Sequence, residues 1–81
     1  EAGDRVMMEI PVHQGAVADG KKVKEITWPQ NCLIIAVYRG GKELLPKGNT
    51  HLHGGDVLLV LSGEDAAYSV KEEIVNVCQK I

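Results

Sequence analysis

Cysteine is scarce in this chain, and the two that occur, Cys32 and Cys78, stand far apart, each inside an apolar run. No pair has the spacing of a zinc or redox motif, so both are expected to be buried thiols in a reducing compartment. No apolar stretch approaches the ~20 residues that cross a bilayer, and no charged start with an apolar centre marks a signal peptide. Charge of neither sign is concentrated: nine Lys and Arg against eleven Asp and Glu give a net charge of −2. With no basic stripe to follow a phosphate backbone, nucleic acid is excluded as the expected partner. Internal repeats, low-complexity tracts and linkers are also missing. The expectation is a soluble, cytosolic chain.

The 81 residues, 44% of them hydrophobic, are expected to form one domain over 1–81. A chain this short buries only about 60 to 65% of the surface its unfolded form exposes. Its core is therefore thin, and such a domain often draws on a staple, a metal or a second copy of itself. It begins Glu-Ala-Gly-Asp, without an initiator Met, which is read as the mark of a piece of a larger protein.

Val6, Met8, Ile10 and Val12 alternate with Met7, Glu9 and Pro11, the period of a half-buried strand. Pro11 has no amide to donate, so this strand belongs at a sheet edge. A short helical turn is expected over Lys21–Ile26, with Asp19 as its N-cap and Trp28-Pro29 as its stop. Cys32–Tyr38 is apolar on both faces, with Leu33, Ile35 and Val37 on one and Cys32, Ile34, Ala36 and Tyr38 on the other. A single thin core covers one face easily, leaving the other for a partner or a ligand.

Gly40-Gly41 is a two-residue hairpin signal, returning Lys42–Leu45 as the next strand. Thr50–His53 reads as a short extended piece, and Val57–Leu61 as a fully buried strand. Ser62-Gly63-Glu64-Asp65 resembles a capping box opening a helix. In that helix Ala67, Val70, Ile74, Val77 and Ile81 form one apolar stripe. The fold class predicted is α+β: a small, mainly antiparallel sheet with a short helix and a C-terminal amphipathic helix packed on it.

Catalytic chemistry finds little support. Ser62 is assigned to capping, Ser69 to the exposed side of the helix and Cys32 to a buried strand, so no nucleophile stands beside an oriented base. Asp4, Asp19, Asp56 and Asp65 sit at turns and helix starts, where carboxylates satisfy backbone amides. His51 and His53 flank Leu52 and project to one side of an extended segment. They fit three roles: exposed loop residues, contacts to an anionic ligand, or a metal pair that only His13 or a distant acid could complete. Arg39-Gly40-Gly41-Lys42 and Pro46-Lys47-Gly48-Asn49-Thr50 carry glycine and base but match no nucleotide fingerprint, and read as ordinary turns.

In order, Gly15-Ala16-Val17, Gly20–Ile26, Ile35–Gly41, Leu45–Thr50 and Gly55–Val60 resemble the TrkA-C domain, also called the C-terminal RCK domain, from about Val6 to Val70. The resemblance implies a non-enzymatic cytosolic module that regulates an ion channel or transporter, on the cytoplasmic side of the membrane and attached to a transmembrane domain. Members follow a nucleotide-binding half in potassium systems, or are fused without it to carriers such as ClC-type chloride transporters and cation antiporters. The absence of a dinucleotide-binding half tilts the expectation slightly toward the chloride kind. Members pair into homodimers, and in some bacterial lineages the dimer cleft binds cyclic di-AMP.

By position, the family's ligand cleft implies Asn31, Leu33, Ile34, Pro46, His51 and His53 here, and the spare strand face implies Cys32, Ile34, Ala36 and Tyr38 at the dimer interface. No resident cofactor or metal is implied, only the cyclic di-AMP ligand. Cyclic di-AMP binders of the family often carry an arginine just after the short helix, where this chain has Thr27-Trp28-Pro29; Trp28 there either stacks on a base or fills the core. The competing readings are a small metal-dependent enzyme using His51 and His53, and a structural dimerisation unit with no ligand.

Overall fold

The computed structural model describes residues 4–80. Strand β1 (Arg5–Pro11) is followed by a 3₁₀ turn (Val23–Glu25), then β2 (Cys32–Arg39), β3 (Lys42–Leu44) and β4 (Val57–Gly63). A second 3₁₀ turn (Glu64–Ala66) leads into helix α1 (Ala67–Gln79). The four strands form one sheet in the order β1-β4-β2-β3, every neighbouring pair antiparallel. The α+β class predicted from the pattern is the one observed.

Local chemistry sets several of these elements. Pro11 lies in β1, which pairs with β4 alone and is an edge strand, as its missing amide requires. Gly40 and Gly41 join β2 to β3 with φ of 57° and 81°, a left-handed pair that glycine adopts without a Cβ clash. In α1, Val70, Ile74 and Cys78 are buried and Val77 packs beside them. The last member of the expected stripe, Ile81, lies outside the described residues.

The core is a single layer between α1 and one face of the sheet. Ile10 of β1, Val37 of β2, and Leu58 and Val60 of β4 meet Val70, Ile74 and Cys78, while Val12, Ala18, Ile26 and Leu52 close the end away from the helix start. Burial of these side chains at about 25 cal/mol per Å² of apolar area is the main favourable term.

Four expectations are corrected. The segment from Lys21 to Ile26 forms only the 3₁₀ turn, and Asp19 caps no helix: its carboxylate accepts the Gly15 and Gly54 amides, both at 2.9 Å, and so ties two loops together. Ser62 is no helix cap either. β4 runs on to Gly63, Ser62 pairs with Val6 on one side and Cys32 on the other, and its hydroxyl donates to the Gly63 carbonyl at 2.8 Å. Two flanking strands hold it more firmly than one cap bond would.

The third correction concerns faces. The β2–β4 register shifts between Ile34 and Ala36, a bulge that places Ile35 as an extra residue. Cys32, Ile34 and Val37 lie opposite Ser62, Val60 and Leu58, on the core face; Leu33, Ala36 and Tyr38 lie opposite Leu61, Leu59 and Val57, on the other. Cys32, Ile34, Ala36 and Tyr38 therefore do not share a face, because the bulge flips the alternation between the first two and the last two. Finally, β4 is not buried on both sides: Leu58, Val60 and Ser62 are buried, whereas Val57, Leu59 and Leu61 are only half-buried.

Candidate ligand groove and bare sheet face

The alternation of β1 and β4, reset by the bulge in β2, collects apolar side chains on the sheet face that α1 does not cover. Met7 stands opposite Leu61, Leu33 on the other side of Leu61, and Ala36 and Tyr38 beside Leu59 and Val57. Met7 and Leu33 are 56% and 63% exposed, which a core would not leave. Ala36 is buried because its methyl is shorter than its neighbours on that face.

At the start of β2 the chain turns through Asn31, a non-glycine residue with φ of 67°. An Asn tolerates this left-handed conformation better than most side chains. Beyond it, Leu33 and Ile34 line a surface groove of about 260 Å³ together with Val23, Trp28, Pro46 and Lys47. The Trp28 indole Nε1–H donates to the Val23 carbonyl at 3.0 Å, which fixes the ring where it both packs against the core and lines the groove. Trp28 thus takes up core packing and groove lining together. The loop 47–50 is a closed turn, with the Lys47 amide donating to the Thr50 hydroxyl and the Thr50 amide to the Lys47 carbonyl, both at 3.0 Å.

Of the residues singled out by sequence, Leu33, Ile34 and Pro46 are brought together in this groove. Asn31 lies next door, in a second groove of about 390 Å³ with Arg5, Leu61 and Gly63, and Leu33 is the wall between the two. His51 and His53 line neither groove. The His51 backbone bridges to Lys22, and the two rings are stacked with centroids 6.3 Å apart and planes 20° apart. Among the described residues no three His, Cys, Asp or Glu side chains are grouped to hold a metal ion. Val23, Lys47 and Gly48 line the groove without having been singled out for it. The mixture of base and glycine in the Pro46–Thr50 turn was the one sequence signal for Lys47 and Gly48.

Electrostatics are quiet at the groove and strong behind it. The Cys32 thiol donates to the Pro29 carbonyl at 3.3 Å, and burial, helped by Glu73, pushes its pKa up. Behind β2, Arg39 makes a two-pronged contact with the buried Asp56 carboxylate. Burial alone would raise the Asp56 pKa, but the Arg39 guanidinium and the His53 amide outweigh it and hold the group below the ordinary carboxylate value.

Against known proteins, a sequence model of the TrkA-C domain matches residues 7–75. A curated relative, the Trk system potassium uptake protein TrkA homolog of Archaeoglobus fulgidus, is 39% identical over 56 residues, which cover 69% of this chain and 13% of the relative. The chain therefore spans a small part of that protein's length. A solved structure described as that of an RCK domain with cda superposes with a TM-score of 0.69 at 19% identity, covering 83% of this chain and 94% of the other; it bears on the fold. With the family match running through β1, β2, β3, β4 and most of α1, this chain belongs to the TrkA-C domain family.

Proposed function

We propose that this TrkA-C domain is the regulatory module of a membrane ion-transport system, held on the cytoplasmic side, in which two copies pair and a ligand bound near their junction biases the pair between two arrangements. The relative's role in potassium uptake moves the weight from a chloride carrier to a potassium system. Membership of a regulatory family also favours this reading over a metal-dependent enzyme built on His51 and His53, which line neither groove.

The observation that carries the pairing is the bare apolar face of Met7, Leu33, Leu59, Leu61 and Tyr38. Three strands of seven or eight residues, with the three-residue β3 beside them, present a flat area of roughly 15 by 23 Å. Even with side-chain relief that stands at the small end of the interface range, below the ~800 Å² per partner of a standard one. A second copy is self-complementary to such a face by two-fold symmetry. Leu33 borders the face and both grooves, so a ligand in either groove would lie at the edge of the pair. A ligand regulates only through different affinities for the two arrangements.

The ligand proposed is cyclic di-AMP, on the strength of the fold neighbour determined with cda. The test is calorimetric titration of the domain, with ATP, NAD and cyclic di-GMP as controls, after its mass in solution has been fixed by sedimentation equilibrium. Saturable uptake of one cyclic di-AMP per dimer supports the sensor. A dimer that takes up no nucleotide leaves a regulatory dimerisation unit, and a monomer at high micromolar concentration removes the pairing.

A further inference from the structure

The two signs of charge are unevenly shared along the chain. Positions 19–56 hold six Lys and Arg against four Asp and Glu, a net of +2, and the remainder holds three against seven, a net of −4. Folding gathers the basic share, because the segment after β1 and the turn after β3 are laced together. Lys22 bridges to His51, the Val23 amide donates to the Thr50 carbonyl at 2.9 Å, and the Lys24 amide to the Gly48 carbonyl at 3.0 Å. The Lys24 side chain lies over Gly48, where a Cβ would stand 3.5 Å from it, so Lys24 and Lys47 are neighbours. The acids of this stretch are mostly tied inward. Asp19 accepts the Gly15 and Gly54 amides, Glu25 accepts the Lys22 amide at 2.8 Å, and Asp56 is buried beneath Arg39; Glu43 on β3 is the exception. Among the described residues the Arg39–Asp56 contact is the one side-chain ion pair, and no lysine lies within ion-pair distance of a carboxylate. Lys21, Lys24, Lys42 and Lys47 are exposed, and Leu45, 73% exposed, stands between the last two in the chain.

We infer that this surface, the lysines together with Leu45, is where the domain rests on an anionic lipid membrane. Unpaired lysines beside a protruding apolar side chain supply both parts of a membrane-surface contact: attraction to headgroup phosphates, and a tip that enters the boundary between headgroups and acyl chains. Single-stranded nucleic acid is a poorer occupant, since the lysine segments 20–26 and 42–51 carry no aromatic platform for bases and the Arg39 guanidinium is held by Asp56. Each lysine close to an anionic surface strengthens binding about fivefold. A handful of them gives a weak, reversible contact, which gains weight from the membrane-side placement proposed above, because a domain already held there meets the lipid at high effective concentration. Lys21 and Lys24 line neither groove, and the bare sheet face is not involved. A monomeric chain, or an empty calorimetric titration, therefore leaves the contact standing.

The test is cosedimentation of the domain with vesicles of phosphatidylglycerol and phosphatidylcholine in equal parts, against vesicles of phosphatidylcholine alone. Uptake by the anionic vesicles only is expected, and it should vanish in about 1 M salt, where the screening length is ~3 Å. Lys21→Glu with Lys24→Glu, both at exposed positions, should weaken uptake at least twentyfold with the circular dichroism unchanged. Lys71→Glu, exposed on α1, should change it far less, and Leu45→Ala should weaken it severalfold while leaving the salt dependence intact. No uptake, equal uptake by both kinds of vesicle, or full uptake of the doubly reversed variant overturns the proposal. So does displacement by inorganic phosphate at matched ionic strength, which would make the lysines a small-anion site. Binding of a poly-glutamate peptide without uptake by vesicles overturns it too, giving the surface to an acidic protein partner.

Discussion

Arg39 grips Asp56 through two hydrogen bonds of 2.8 Å, Nε–H donating to Oδ1 and Nη2–H to Oδ2, from a guanidinium that is 39% exposed to a carboxylate that is 1% exposed. The pair does more than neutralise charge. Asp56 Oδ2 also accepts the His53 amide at 2.9 Å, and Arg39 Nη2 also donates to the His51 carbonyl at 2.8 Å. The end of β2 is thereby fastened to the loop that carries the buried Leu52.

Removing Arg39 should therefore cost more than an exposed ion pair would. Arg39→Ala leaves a buried carboxylate with the His53 amide as its partner, and a loss of about 2 to 3 kcal/mol is expected near neutral pH, less than for a fully buried pair because the guanidinium is partly solvated. The sign with pH follows from the depressed Asp56 pKa: the stabilisation is complete above the ordinary value of 3.8 and is lost as pH falls through the lower folded value. The penalty of Arg39→Ala, measured by urea denaturation, should thus shrink as acid protonates Asp56. A penalty constant through that range would mean that Arg39 acts by packing alone.

The bare sheet face gives a prediction that separates association from folding. Leu33→Glu with Leu61→Glu places two carboxylates side by side on that face, where Leu33 is 63% exposed and Leu61 half-buried. The monomer should lose about 1 to 2 kcal/mol, because the two carboxylates also stand opposite each other across β2 and β4. The dimer should be abolished, because like charges would oppose one another across the two-fold. Sedimentation velocity and a thermal melt read the two effects separately, and a variant that remains dimeric places the interface elsewhere.

What the sequence revealed was local. Pro11 marked an edge, Gly40-Gly41 marked a hairpin, and the spacing through Val70 and Ile74 marked one face of α1, because each rests on chemistry within a few residues. The hidden features are relations between distant segments. The bulge at Ile35 arises from fitting β2 onto β4, so the alternation within Cys32–Tyr38 assigned the wrong side to half its members. Ser62 looked like a cap until β1 and β2 were seen to flank it. Asp56 was assigned to turn structure, and its link to Arg39 joins positions 17 apart in the chain. At the groove, Leu33, Ile34 and Pro46 came from the family resemblance, whereas Val23 and Lys47 are brought there only by the folding of two separate turns.

The two thiols should behave differently. Cys78 is fully buried, and desolvation pushes its pKa to about 11; Cys32 is half-buried and its pKa is also raised. Thiolate is the reacting form, so at pH 8 roughly one Cys78 in a thousand would be ionised even if reagent reached it. A disulfide reagent should therefore modify Cys32 alone in the native chain, and Cys78 only as the chain unfolds in denaturant. Equal rates at both positions would contradict the burial of Cys78 under α1.

Ile74 tests the core itself. It is fully buried where α1 lies over the sheet, among Ile10, Leu58 and Val60. Ile74→Asp removes that packing and buries an unpaired carboxylate, a loss of several kcal/mol. A domain of this size is stable by only about 4 to 12 kcal/mol, so the variant should be largely unfolded by circular dichroism at 25 °C. Asn76→Asp, two residues on and exposed, introduces the same charge on the outer side of the helix and should change the melting midpoint little. The contrast between the two, rather than either alone, reports which face of α1 is buried. If both melt like the parent, the helix does not rest on the sheet through Val70, Ile74 and Cys78.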